Sequence, residues 1–145
     1  MSSTLESHYG SEGIVDRIVD ALDQAGTDAS SLTPDSFAGA DEFHIGGRKG
    51  SELVADLLNI EEGSRIIDLG CGIGGPARFL ARTKGIHVTG IDLTPEFVEA
   101  ASALTQLVGM SDKVDFHEGS ATNIPFGDNS FDAATMIHVG MNIAD

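Results

Sequence analysis

RIIDLGCGIGGPARFLARTKGIHVTGID, residues 65–92, is the stretch whose reading decides the architecture. A short apolar run ends on an acid, a glycine-packed turn follows, then a helical segment, then a second apolar run that ends on another acid. That order is a β-α-β unit. Gly70, Gly72, Gly74 and Gly75 free the turn of side chains, so its backbone can approach a ligand closely. Pro76 suits the first helical position, where its missing N–H is not needed. Arg82 and Lys84 fall in the last turn and Gly85 supplies the stop, so the helix is expected to end near Lys84.

Two ligand classes compete for the loop. Gly70, Gly72 and Gly75 satisfy G-x-G-x-x-G, the dinucleotide fingerprint, and Asp92 stands at the distance where an acid would hold a ribose hydroxyl. Asp68 weighs the other way: its charge at the end of the first strand would repel a pyrophosphate and attract an ammonium group.

The run IIDLGCGIGG, with Asp92 ending the next strand, resembles motif I and its sequel in class I S-adenosylmethionine-dependent methyltransferases. IPFGDNSFDAATMIHV, residues 124–139, resembles the segment before and through the fourth strand of their small-molecule members, which include betaine-forming glycine and sarcosine methyltransferases and quinone and tocopherol methyltransferases. The resemblance implies an α/β fold: a Rossmann-like sheet in strand order 3-2-1-4 with N-terminal helices, the family's later strands being missing from a chain that stops at Asp145. It implies S-adenosyl-L-methionine as cofactor and S-adenosyl-L-homocysteine as product. Asp68 would face the methionine part, Gly70, Gly72 and Gly74 would make room for it, and Asp92 would take the ribose hydroxyls. Leu93 would pack beneath the adenine. Ser120 stands where many members carry an aspartate toward the adenine amine, and Ala121 would offer its backbone N–H to the ring. The FHIGG run around His44 resembles a stretch bordering the cofactor in the betaine-forming enzymes, so His44 is a candidate to line the site.

Composition agrees with this reading. A chain of 145 residues with 41% hydrophobic content can build one sizeable core. Its 23 acids against 8 bases, net charge −15, would repel phosphates and argue against a nucleic-acid partner. No apolar stretch approaches a membrane span, no signal-type run opens the chain, and one cysteine allows no internal disulfide, so a cytoplasmic protein with no membrane partner is expected. His, Cys and carboxylate residues do not recur at ligand spacing, and no metal site is expected. Cys71 is the variable residue of the glycine loop rather than an evident thiolate.

Outward from the core motif, Ile14, Val15, Ile18, Val19 and Leu22 lie on one face of an amphipathic helix over Ser11 to Ala25. Residues 1–40 are read as a helical cap or lid and residues 41–145 as the binding domain. Gly26 to Gly39 reads as a loop with one turn near Thr33-Pro34, and as the internal hinge. Gly50 to Asn59 reads as a helix that buries Leu53, Val54, Leu57 and Leu58. Thr94-Pro95-Glu96 starts a helix that Gly109 ends. Lys113 to Glu118 forms a third strand and Phe131 to His138 a fourth, with Asp132 capping or pairing locally. His138 leaves the carboxyl end of that strand beside the glycine loop, the place where open α/β sheets bind ligands, and is the candidate catalytic base or substrate orienter.

The expected activity is methyl transfer to a nitrogen, carbon or oxygen atom of a small-molecule acceptor, with this chain carrying mainly the cofactor-binding half. The alternatives are a non-catalytic truncated module that dimerises through an exposed sheet edge, and a nicotinamide-dependent oxidoreductase.

Overall fold

The computed structural model describes residues 13–41, 47–137, 139, 140 and 143. Among them α1 spans Ile14–Gln24, α2 Ala38–Asp41, α3 Gly47–Leu57, β1 Arg65–Leu69, α4 Gly75–Lys84, β2 His87–Asp92, α5 Pro95–Leu107, β3 Val114–Glu118 and β4 Ala133–Thr135. The strands form one sheet in the order β3-β2-β1-β4, every pairing parallel. This is the expected 3-2-1-4 order. Its register sets Asp68 beside Gly90 on one side and Thr135 on the other, and Asp92 beside Glu118.

Two apolar clusters hold the layers. The larger packs Ile66, Val88, Val114 and Phe116 of the sheet against Ala77, Leu80 and Ala81 of α4 and Ala101 of α5. β1 and β2 are buried on both faces, which accounts for their apolar runs. The smaller cluster joins Val15 of α1 to Phe37, Ile73 of the glycine loop, and Ala100, Ala103 and Leu104 of α5. The apolar stripe of α1 therefore closes over the same loop that starts α4.

Three expectations change. In α3 the buried positions are Ser51 and Ala55, while Leu53 and Leu57 stand 59% and 74% exposed. Val54 and Leu58 of the expected stripe do pack, partly buried, against the core cluster beside Ala55, and Arg48 covers Phe79 at 4.4 Å from the ring centre. The segment read as a loop and hinge has its expected turn, Pro34–Phe37 capped by Thr33, but also a second 3₁₀ turn, Ala29–Ser31, and it runs anchored into α2. Phe37 is fully buried, and the Asp35 carboxylate accepts from both terminal nitrogens of Arg82 at 3.0 and 2.7 Å. Last, β4 is confined to Ala133–Thr135, and Asp132 pairs at a distance in sequence, its Oδ2 accepting from the Arg65 N–H at 2.9 Å. Among the described residues no helix is long and apolar enough to cross a membrane.

Candidate functional site

Asp68 occupies the carboxyl end of the central strand, where β1 opens into the glycine loop. It is only 2% exposed, and its Oδ1 accepts from the Thr135 hydroxyl at 2.7 Å. Burial pushes its carboxyl from 3.8 up to about 7; the Thr135 hydroxyl opposes that rise and the nearby charge of Asp92 adds to it.

The second acid is tied to the loop itself. Asp92 Oδ2 accepts from the Gly72 N–H at 2.9 Å and Oδ1 from the Thr94 N–H at 3.0 Å. One carboxylate thus fixes both the loop and the start of α5. The Gly70 and Cys71 N–H groups donate to the Ile91 carbonyl at 2.9 and 3.0 Å, so the turn is stitched to β2 along its whole first half.

The glycines divide by what lies over them. A side chain at Gly70 would meet Val139, with a Cβ–Cγ distance of 2.6 Å. Gly72, at φ +56°, faces open space. Gly74, at φ +88°, turns toward the interior, where a Cβ would stand 2.5 Å from Phe116 and 2.8 Å from Arg78 Nη1.

Around these groups lies a cavity of about 1090 Å³, near the upper end of small-molecule sites. Asp68, Gly70, Cys71, Gly72 and Ile73 form its floor, Asp92, Leu93, Thr94 and Phe97 one side, and Gly119 to Thr122 the next. Ile14, Arg17 and Ile18 of α1, Ala40 and Asp41 of α2, and Ile137, Val139 and Ile143 complete the wall.

The structure therefore gathers Asp68, Gly70, Gly72, Asp92, Leu93, Ser120 and Ala121 around one space, and sets Gly74 behind it against the core. Leu93 is 69% exposed and free to cover a flat ligand. The Ser120 hydroxyl is engaged in its own turn, 2.8 Å from Thr122 Oγ1 and accepting from the Thr122 N–H at 3.2 Å. His44 and His138 lie outside the described residues, although both neighbours of His138, Ile137 and Val139, line the cavity.

Sequence reading missed Thr135 and the Asp41–Arg78 ion pair, 2.6 Å between Oδ2 and Nη2 with both side chains 1% exposed. Neither pairing has a sequence signal, since each joins elements far apart along the chain.

The site's electrostatics favour a positive charge near Asp68, because Asp41 is paired with Arg78 and Asp92 already accepts two N–H groups. Cys71 is a thiol rather than a thiolate: burial raises its pKa first, and the charges of Asp68 and Asp92 raise it further. Among the described residues no group of three or more His, Cys or acidic side chains could hold a metal ion.

A family model described as a methyltransferase domain matches residues 67–145. The methyltransferase phqN of Penicillium fellutanum is 46% identical over 84 residues, covering 58% of this chain and 26% of its own length. The sterol 24-C-methyltransferase ERG6B of Gibberella zeae is 37% identical over 101 residues, 70% of this chain and 27% of that one. The crystal structure of an SAM-dependent methyltransferase from Thiobacillus denitrificans in complex with S-adenosyl-L-homocysteine superposes with a TM-score of 0.58 at 31% identity, over 68% of this chain and 40% of that one. The chain thus spans about a quarter of the length of these two curated relatives.

Proposed function

This chain belongs to the methyltransferase domain family, and we propose that its cavity binds S-adenosyl-L-methionine and serves methyl transfer to a small apolar acceptor. The observation that carries the reading is the pair of acids at the carboxyl ends of adjacent strands: Asp68 buried at the floor, and Asp92 holding the loop beside it.

The residues present fit that cofactor. Asp68, with the ionisation of its carboxyl poised near neutral pH, suits the ammonium of the methionine part. Gly72 leaves the floor open, and a side chain there would project into the space the ligand needs, while Gly70 makes room for Val139. Asp92 keeps the loop in place and presents its remaining lone pairs to ribose hydroxyls. Leu93 and Ala121, which line the cavity, would flank the adenine, with Ser120 contributing its backbone more than its committed hydroxyl. When bound, the cofactor supplies an electrophilic methyl on a sulfonium. The protein's part is then to bind, to orient and to exclude water, which in well-aligned systems lowers a barrier by about 7 to 11 kcal/mol.

The acceptor class follows from the outer wall. Ile14, Ile18, Phe97, Ile137, Val139 and Ile143 make it mostly apolar, with Arg17 and Asp41 among them. An apolar acceptor agrees with the sterol named for ERG6B. Residues 1–40 would act as the cap, since α1 and α2 supply part of that wall; the division at residue 40 falls inside α2. His44 and His138 keep their proposed roles on sequence grounds, His44 at the cofactor's border and His138 as base or orienter.

Incubating the intact protein with tritiated-methyl cofactor and a panel comprising sarcosine, a hydroquinone and a sterol tests this. Label in the sterol or the hydroquinone supports an apolar acceptor, and label in sarcosine moves the assignment to an amine. No label in any acceptor, from protein that binds the cofactor, favours a non-catalytic module.

A further inference from the structure

α4 begins on Gly75-Pro76-Ala77-Arg78, and its first turn turns a guanidinium back under the glycine loop. Arg78 Nη2 meets Asp41 Oδ2 at 2.6 Å, while Nη1 donates to the Thr105 hydroxyl at 3.0 Å and the Ala101 carbonyl at 3.3 Å. The guanidinium carbon also lies 5.7 Å from the centre of the Phe37 ring. One buried side chain therefore touches α2, α5 and the anchored turn before α2.

We propose that the Asp41–Arg78 pair is a positioning device that locks the cap segment to the glycine loop and so fixes two walls of the cavity relative to each other. Two observations and one general argument support it beyond the contact itself. A Cβ at Gly74 would meet Phe116 at 2.5 Å and Arg78 Nη1 at 2.8 Å, and one at Gly75 would run into the Asp41 main-chain carbonyl and stand 2.6 Å from its carboxyl carbon. Two of the four glycines thus make room for the packing around the ion pair. Second, Ala40 and Asp41 line the same cavity as Gly72 and Ile73, so the Asp41 end of the pair belongs to the wall while Arg78 belongs to the helix that leaves the glycine loop. Third, burying a charge pair seldom adds stability over an apolar pair of equal volume, whereas its directional fork fixes orientation.

The affinity arm of the test rests on the cofactor reading above; the exchange arm does not. Asp41→Asn in the intact, ligand-free protein is compared with wild type by hydrogen–deuterium exchange and mass spectrometry, and both are titrated with S-adenosyl-L-homocysteine. The expected result is exchange at least tenfold faster in residues 29–41 and 70–80, unchanged in β2 and β3, with ligand affinity at least tenfold lower. The double variant Asp41→Leu with Arg78→Met should recover the wild-type melting temperature but not the affinity. Exchange rising equally in β2 and β3, or ligand affinity within twofold of wild type, overturns the proposal. Should Asp41→Asn not fold, Arg78→Lys keeps the charge, loses the fork to Ala101 and Thr105, and is judged by the same two outcomes. Wild-type protein that fails to bind S-adenosyl-L-homocysteine sinks the cofactor reading, and the exchange comparison still decides on the pair.

Discussion

If Asp68 holds the ligand's ammonium as proposed, binding should depend on pH. Its carboxyl, raised from 3.8 to about 7 mainly by burial, is largely protonated at pH 6 and ionised at pH 8 in the ligand-free protein. Only the ionised form attracts the ammonium, so affinity should fall about tenfold between pH 8 and pH 6 and flatten above pH 8. The stability linkage has the opposite sign. A folded-state pKa above the unfolded value means that Asp68 contributes stability that is fully present below about pH 4 and is lost as pH rises through 7. The full span corresponds to about 4 kcal/mol at 1.36 kcal/mol per unit. Asp68→Asn keeps the acceptor for Thr135 and carries no charge. The ligand-free variant should therefore be more stable than wild type at pH 8, by up to about 4 kcal/mol, and no more stable near pH 4. Calorimetric titration with S-adenosyl-L-homocysteine from pH 5.5 to 8.5, paired with urea unfolding of both proteins, reads both effects. Pocket affinity that stays constant across that range in wild type, or a variant that is less stable at pH 8, would refute the argument.

Other outcomes follow from the loop. Asp92→Ala removes the acceptor for two main-chain N–H groups and should cost about 2 kcal/mol in denaturant unfolding besides weakening ligand binding. Gly72→Ala and Gly74→Ala should separate: the first, strained but facing open space, costs about 1 kcal/mol and blocks the ligand, while the second drives a methyl into Phe116 and lowers the melting temperature much further. Asp35→Ala breaks only exposed pairs with Arg82 and Arg48 and should change stability by about 1 kcal/mol or less. Cys71 should resist iodoacetamide at pH 8 in the folded protein and react once the chain is unfolded in urea.

What could be read from sequence is what local chemistry dictates. Residues 65–92 announce their strands, turn and helix because apolar runs, glycines and a first-turn proline act within a few residues of one another. The strand order and the convergence of Asp68, Asp92, Ser120 and Ala121 were expected from the resemblance, and the sheet has that order. Hidden features depend on partners far along the chain. The Gly26 to Gly39 segment looked like a hinge because its anchors, Arg82 and Arg48, lie well downstream of Asp35. In α3 the pattern pointed to Leu53, Val54, Leu57 and Leu58 as core; Val54 and Leu58 do pack on it, but the helix is rotated so that Ser51 and Ala55 are buried and Leu53 and Leu57 exposed. Gly74 looked like a ligand contact because all loop glycines look alike in sequence; only the position of Phe116 and Arg78 separates it from Gly72.

The central claim is that the space between Asp68 and Asp92 holds S-adenosyl-L-methionine. Calorimetric titration at pH 8 with S-adenosyl-L-methionine, S-adenosyl-L-homocysteine and NAD tests it most directly. The account predicts micromolar binding of the first two, lost in Asp68→Ala, and none of NAD. Binding of NAD, or folded protein that binds neither S-adenosyl compound, would contradict it.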